Sequence, residues 1–227
     1  MKPRMSSVVM AALTGGLLLV SSHFQGAHAD DRHENGEAQY ADLNGDGKAD
    51  LIFQGLDNLF WVSLSTGAGF TTPAPWVQHG GGVLIGQAQY ADLNGDGNAD
   101  LIFQGLDNLF WVSLSTGAGF TEPTLWVQHG GEFLDGQAQY ADLNGDGKAD
   151  LIFQGWDNTF WVSLSTGAGF TEPELWVQHG GGYSLGQAQY VDLNGDGKAD
   201  LIFQGLDNAF WVSLSTGAGF TAPMLWQ

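Results

Sequence analysis

Residues 40–52 read YADLNGDGKADLI, and this stretch returns with little change at 90–102, 140–152 and 190–202. The repetition extends beyond it, because residues 36–85 align without a gap with residues 86–135, and 42 of the 50 positions are identical. A fixed period of this size indicates a solenoid, a propeller or an array of repeated units. The chain therefore contains four copies, at 36–85, 86–135, 136–185 and 186–227, and any site in it occurs several times.

Each copy shows short strands separated by turn residues, and the second copy predicts strands at 87–93, 99–106, 109–115 and 120–128. The strand at 99–106 is apolar on both sides, which favours a sheet that is packed on both faces. Pro123 interrupts the fourth strand and favours an edge position, because proline cannot donate to a strand ladder. Ser63 and Ser65 are predicted on the outward side of an alternating strand.

Four short antiparallel strands in 50 residues match the size of one propeller blade. We therefore predict an all-β fold, a β-propeller built from four near-identical 50-residue, four-stranded blades. A closed ring is favoured because open sheet edges invite aggregation. A larger ring made by two chains, and an open array, are the alternatives.

Composition excludes several classes of function. The chain has 227 residues, a formal net charge of −19 and no cysteine. The chain has only six Lys and Arg residues to neutralise phosphates, and therefore a nucleic-acid partner is not expected. The missing cysteine excludes disulfides, thiol catalysis and cysteine zinc sites.

The N-terminal region has the pattern of a secretory signal. Lys2 and Arg4 precede an apolar run at 8–20, and Ala27-His28-Ala29 provides small residues for cleavage. A membrane anchor is the alternative, but this run is too short to span a bilayer of about 30 Å. We expect a signal peptide at 1–29, a short N-terminal segment at 30–35, the propeller domain at 36–227, and a secreted protein, extracellular or periplasmic.

The acidic stretch at 42–50 places oxygen-bearing side chains at positions 1, 3, 5 and 9, with glycine at position 6. This spacing suits calcium, which takes six to eight oxygen ligands, and position 7 would contribute its main-chain carbonyl. It is not an EF-hand, since position 12 is Phe53 rather than glutamate. A turn without metal is the alternative. We predict about one Ca²⁺ per repeat, with the candidate ligands Asp42, Asn44, Asp46, Lys48, Asp50, Asp92, Asn94, Asp96, Asn98, Asp100, Asp142, Asn144, Asp146, Lys148, Asp150, Asp192, Asn194, Asp196, Lys198 and Asp200.

The stretches at 40–52 and 60–70 resemble the FG-GAP or VCBS repeats of β-propellers, which occur in integrin α-subunits and in secreted bacterial proteins. The resemblance covers about residues 36–227 and implies that the acidic loop binds calcium within each blade. Rings in this family often have seven blades, whereas this chain has four copies. Some calcium-binding propeller lectins of fungi are also similar, which implies that glycan binding is worth testing.

Catalysis is not expected. Ser63, His79 and Asp57 have the residue types of a triad, but several identical triads in one small ring would be unusual. The chain also lacks a Gly-x-Ser-x-Gly elbow and a His-Glu-x-x-His motif. We therefore predict that the protein is not an enzyme.

Binding is the favoured function. Aromatic, amide and imidazole side chains recur where one copy meets the next, and such groups stack on sugars and hold their hydroxyls. The candidate ligand-binding residues are Trp76, Gln78, His79, Trp126, Gln128, His129, Trp176, Gln178 and His179. The alternative for the tryptophans is packing between blades. We predict a multivalent lectin that binds glycans or glycoproteins.

A protein-adhesion or scaffolding module with purely structural calcium is the alternative function. The copies differ mainly at 72–75 and 82–85, where variable loops would select a protein partner. No membrane span is expected in the propeller, and a homo-oligomer is left open.

Overall fold

The computed structural model describes residues 38–55, 58–79, 88–105, 109–128, 138–155, 158–179, 188–205 and 209–226. These residues form four antiparallel sheets of four strands each, which we number as blades 1 to 4. Blade 1 contains β1 (Gln39–Ala41), β2 (Asp50–Gln54), β3 (Leu59–Ser63) and β4 (Ala74–Gln78). Blade 2 contains β5 (Ala88–Ala91), β6 (Asp100–Gln104), β7 (Leu109–Ser113) and β8 (Thr124–Gln128).

Blade 3 contains β9 (Gln139–Ala141), β10 (Asp150–Gln154), β11 (Thr159–Ser163) and β12 (Glu174–Gln178). Blade 4 contains β13 (Gln189–Val191), β14 (Asp200–Gln204), β15 (Phe210–Ser213) and β16 (Met224–Trp226). In every blade the strands pair in chain order, so the fourth strand is an edge strand, as predicted. The all-β prediction with four four-stranded blades is confirmed.

The strands are shorter than the sequence predicts. In blade 2 the acidic turn runs to Ala99, so the second strand begins at Asp100. Ser115 leaves the third strand and forms an isolated bridge with Phe120. Pro123 lies just before β8 rather than inside it, where its missing N–H costs no ladder hydrogen bond.

Each blade has two ends with different residues. The acidic end carries the turns between the first and second strands and between the third and fourth strands, at 42–49 and 64–73 in blade 1. The junction end carries Gly55, Asn58 and His79, where the His79 N–H donates to the Asn58 carbonyl at 3.0 Å. The antiparallel meander thus separates the acidic loop from the junction residues by the length of a strand.

The hydrophobic core lies between consecutive blades. The side of blade 1 that carries Ile52, Phe60 and Val62 packs on the side of blade 2 that carries Tyr90 and Leu101. We call the first side the rear face of a blade and the second its front face. Blades 2 and 3, and blades 3 and 4, meet in the same way. Three rear-to-front interfaces therefore hold the described residues together.

Both faces of the inner blades are packed, which corrects the outward position predicted for the serines. Ser63 and Ser113 are buried, and Ser65 is half-buried, whereas its counterpart Ser115 is buried. Ser113 and Ser115 lie against blade 1, which covers the front face of blade 2 that carries them. Ser63 is buried although no other blade of the described residues packs on the front face of blade 1. The three core clusters link successive blades, and none of them joins blade 4 to blade 1 within the described ranges. The closed ring stays a prediction. In the same ranges, no helix has the length and apolar character to cross a membrane.

Candidate functional site

The acidic loop of blade 1 is a tight turn in which side-chain oxygens accept main-chain hydrogen bonds. Asp42 accepts from Asp46 N at 3.2 Å and from Gly47 N at 2.8 Å. Asn44 Oδ1 accepts from the same Asp46 N at 3.1 Å, so two side-chain oxygens already converge on one point. Gly45 and Gly47 have φ of 69° and 81°, which L-residues with side chains rarely adopt. The same turn is repeated in the other three blades.

A lysine closes this loop in three of the four copies. Lys48 Nζ lies 2.6 Å from Asp46 Oδ2, and that hydrogen bond lowers the pKa of Asp46. Lys148 and Lys198 make the same contact in blades 3 and 4. Blade 2 has Asn98 at this position, so its loop keeps the carboxylates without the ammonium group.

The last acid of the loop has a structural role that the sequence does not reveal. Asp50 is buried, and its two oxygens accept from Leu43 N at 3.0 Å and from Ser65 N at 2.7 Å. It therefore ties the acidic turn to the turn that follows the third strand. Burial raises the pKa of the corresponding Asp100 and Asp150 to about 7, against the opposing effect of their amide donors. The sequence signal for this role is that the aspartate recurs in every copy together with a serine fifteen residues later.

Loops of consecutive blades are neighbours at the acidic end. A Cβ placed on Gly45 would lie 3.0 Å from Asn98 Oδ1, and one on Gly95 would lie 3.3 Å from Lys148 Cγ. Across the described residues, no three acidic or histidine side chains are grouped closely enough to form a metal site as placed. The side-chain oxygens of the loop point instead toward main-chain amides.

The tryptophans of the candidate ligand site pack between blades. In the first three blades the pairing of the third and fourth strands shifts register by one residue. In blade 1, Phe60 pairs with Val77 and the next residue, Trp61, pairs with Pro75. Trp76 is the extra residue of this bulge, and it packs in the same cluster as Val77. Its ring lies edge-on to Phe120 of the next blade, with 5.1 Å between centroids. Trp126 and Trp176 make the same contact with Phe170 and Phe220.

The histidines of the candidate site are also buried. His79 lies between Phe60 of its own blade and Phe103 of the next, at centroid distances of 5.3 and 4.2 Å. His179 has the same two neighbours in blades 3 and 4, and His129 lies outside the described residues. Burial lowers the pKa of His79 and of His179 to about 4, so both imidazoles are neutral at pH 7.

Among the members of the candidate ligand set that the structure describes, only the glutamines are exposed. Gln78, Gln128 and Gln178 end the outer strands at the junction end and face solvent. The three predicted types of side chain therefore do not share one surface. The residues that follow, at 80–87, 129–137 and 180–187, lie outside the described residues.

The triad considered from the sequence is not assembled in the described residues. His79 Nε2 lies 3.4 Å from Ser113 Oγ of the next blade, not beside Ser63. Both groups are buried, so this contact offers no access to a substrate. Asp57 lies outside the described residues.

Comparison with solved structures places this architecture among propellers. A lectin of Agrocybe aegerita, whose structure explains the specific recognition of non-reducing terminal N-acetylglucosamine, matches with a TM-score of 0.69 and 28% identity. The match covers 83% of this chain and 51% of the lectin, so the chain spans about half the length of that protein.

Two further structures are more distant. The TcdB2-TccC3-Cdc42 complex matches at 17% identity and a TM-score of 0.49, over 84% of this chain and 14% of the other. The Vibrio cholerae biofilm matrix protein Bap1 matches at 19% identity and a TM-score of 0.41, over 88% and 33%. Neither likeness bears on function.

The sequence was also compared with family models and with curated proteins. No curated protein matches it. The model of the FG-GAP-like repeat matches residues 42–103 and again residues 142–203, which together exceed half of the chain. Both matches begin at the first acid of an acidic loop and end in the second strand of the next blade, so each includes one rear-to-front interface. The chain belongs to the family of FG-GAP-like repeat proteins.

Proposed function

We propose that the protein is a secreted, non-enzymatic, multivalent lectin that binds glycans, with calcium in its acidic loops. The observation that carries glycan binding is the likeness to the Agrocybe aegerita lectin, at 28% identity over most of this chain. That protein recognises terminal N-acetylglucosamine, so glycans that end in this sugar are the first ligand class to test. Several near-identical blades give several equal sites, and weak sites gain avidity when they act together.

The junction end is the favoured place for the sugar. Gln78, Gln128 and Gln178 are exposed there, and an amide can both donate to and accept from a sugar hydroxyl. The acidic loops lie at the opposite end of each blade. Calcium would therefore support the blades and would not contact a sugar held at the junction end.

The donor chemistry of the acidic loops fits calcium. In blade 1, Asp42, Asn44 and Asp46 offer hard oxygen donors within one turn, with Lys48 adding its carbonyl and Asp50 its carboxylate. Burial raises the pKa of Asp50, and the negative charges of Asp42 and Asp46 raise it further, which shows that the carboxylates repel one another. A bound calcium ion would offset this repulsion. It would compete with the ammonium of Lys48 for Asp46. The loop of blade 2, which has Asn98 instead, faces no such competition.

A glycan array on residues 30–227, run in calcium and again in chelator, tests the function. We expect signal from glycans with terminal N-acetylglucosamine. Substituting Gln78, Gln128 and Gln178 together by alanine should abolish that signal while the melting temperature is unchanged. The matched control is Glu122→Gln with Glu172→Gln, which alters exposed residues next to the acidic end and should leave binding intact.

The melting temperature in the same two buffers tests calcium separately. Chelator should lower it, and added calcium should restore it, because the ion binds the folded chain and not the unfolded one. An unchanged melt would contradict calcium binding and leave the glycan result standing. Folded protein without any saccharide signal would contradict the lectin and favour the adhesion alternative.

A further inference from the structure

Within the described residues, no other blade packs on the front face of blade 1, whereas the preceding blade packs on the same face of blades 2, 3 and 4. Phe70 is 50% exposed, and its counterparts Phe120, Phe170 and Phe220 are each 9% exposed. Leu51 is half-buried, although the matching Leu101 is fully buried. The sequence around these residues is the same in each copy. The difference therefore comes from the missing neighbour.

The rear face of blade 4 is uncovered in the complementary way. Phe210 is 48% exposed, and its counterparts in blades 1 to 3 are at most 2% exposed. Trp226 is 40% exposed, against 9% for Trp126 and Trp176. Two large aromatic rings thus face solvent on a surface that, in every other blade, packs against the next front face.

The residues that donate hydrogen bonds between blades are also present on the open front face of blade 1. At each internal interface an alanine N–H donates to an aspartate carbonyl, as from Ala99 to Asp42 at 2.8 Å. A serine hydroxyl also donates to a leucine carbonyl, as from Ser115 to Leu43 at 2.6 Å. Within the described ranges, Ala49 on the open front is exposed and has no other blade opposite it.

We propose that a second copy of this chain covers these faces, with the rear of blade 4 of each copy docked on the front of blade 1 of the other. The two faces are the two halves of an interface that the chain already builds three times. Two such contacts related by a twofold axis close a ring and leave neither face open. The pair would have about the length of the Agrocybe aegerita lectin chain, of which one copy spans 51%.

In this assembly Phe70 and Phe210 would be buried, as their counterparts are. Trp226 would pack edge-on to Phe70 of the partner, as Trp76 does to Phe120. The proposal does not depend on glycan binding, because it uses the faces between blades and not the junction end.

The test is the mass of the chain in solution by analytical ultracentrifugation, over a range of concentrations. We expect a dimer, and we expect Phe70→Asp and Phe210→Asp each to be monomeric. Both residues are already exposed in one copy, so the variants should fold, which circular dichroism checks. The matched control Leu125→Asp changes an equally exposed residue on an outer strand, 48% exposed, and should leave the dimer intact.

Mixing the two variants distinguishes two arrangements of the dimer. In the proposed one, the rear face of blade 4 docks on the front face of blade 1 of the other copy, and in the alternative each face docks on the same face of the other copy. The pair Phe70→Asp with Phe210→Asp retains one intact interface, so the mixture should dimerise more than either variant alone and less than the unaltered chain. A monomer at all concentrations, or a dimer that survives Phe70→Asp, would overturn the proposal. So would a mixture that behaves as its separate components do.

Discussion

The interface between blades 2 and 3 and the open faces of blades 1 and 4 have nearly the same sequence but different environments. Phe110 lies in the interface and is fully buried, whereas Phe210, the same residue two copies later, is 48% exposed. The position of a blade in the row of four, and not the residue, thus determines the contribution of a side chain to stability. The effect of a substitution inside an interface can therefore be compared with the effect of the same substitution at the equivalent residue on an open face.

The largest difference is expected for phenylalanine. Phe110→Ala should lower the free energy of unfolding by about 3–5 kcal/mol, because it leaves a cavity in a packed interface. Phe210→Ala should cost less than about 1 kcal/mol when urea unfolding is measured at protein concentrations low enough to give monomers. Equal losses in the two variants would contradict the comparison and would favour a ring that one chain closes by itself.

Acid should weaken the internal interfaces through their histidines. His79 and His179 have a pKa of about 4 when folded, against about 6.5 when unfolded. The unfolded chain therefore takes up protons that the folded chain excludes, so stability is full above pH 6.5 and falls toward pH 4. For each histidine the loss of stability is at most about 1.4 kcal/mol per pH unit, and it amounts to about 1.5 kcal/mol between pH 6.5 and 5.

The acidic loops oppose this trend. Asp100 and Asp150, with pKa raised to about 7, gain stability as the pH falls from 7 toward their unfolded value of 3.8. Urea unfolding of the variant His79→Leu with His179→Leu, compared with the unaltered chain at each pH, isolates the histidine part. The exposed pair Gln78→Ala with Gln178→Ala is the control and should retain the original pH dependence. A histidine variant with that same dependence would show that the imidazoles are not buried in solution.

A smaller difference is expected for the serine that joins blades. Ser115→Ala removes the hydroxyl that donates to Leu43 O at 2.6 Å and leaves a buried carbonyl without that donor. The cost should be about 1–2 kcal/mol in chemical unfolding. Ser65→Ala, on the open face, should cost about 0.5 kcal/mol or less. A dimer would raise the cost of Ser65→Ala at high protein concentration, which relates this pair of variants to the proposed assembly.

The smallest difference is expected for glycine. Gly95→Ala and Gly195→Ala both force alanine to positive φ, which costs about 1–2 kcal/mol. A Cβ at Gly95 would also lie 3.3 Å from Lys148 Cγ of the next blade, whereas a Cβ at Gly195 meets nothing within 4 Å. The first variant should therefore be less stable by a few tenths of a kcal/mol, because the lysine side chain can move aside. Thermal melts of the two variants in parallel measure this difference.

The sequence predicts the fold well because its signals are local and are repeated. The 50-residue period, the turn glycines and Pro123 predict four-stranded blades whose fourth strand is an edge strand, and the structure has them. The strand ends are less predictable. Asp100 begins its strand because its carboxylate must reach both Leu93 N and Ser115 N, and that contact depends on the folded turn.

The site is less predictable, because burial depends on neighbours that the sequence does not specify. A bulge directs Trp76 into the interface, where it contacts Phe120 of the next blade. His79 has the residue type of a ligand-binding group, but Phe60 and Phe103 enclose it. The spacing of Asp42, Asn44 and Asp46 does predict that their oxygens gather in one turn, and the hydrogen bonds of the loop agree.

Because the interfaces between blades are alike, the chain can gain or lose a whole repeat by duplication or deletion. Each of the three interfaces among the described residues joins the rear face of one blade to the front face of the next, so the interface belongs to the unit and not to a particular pair. Inserting or deleting one whole 50-residue unit would leave the remaining interfaces between blades of the same kind and would change only the number of these interfaces. Such a change alters the number of blades in one step, without a new surface having to be selected.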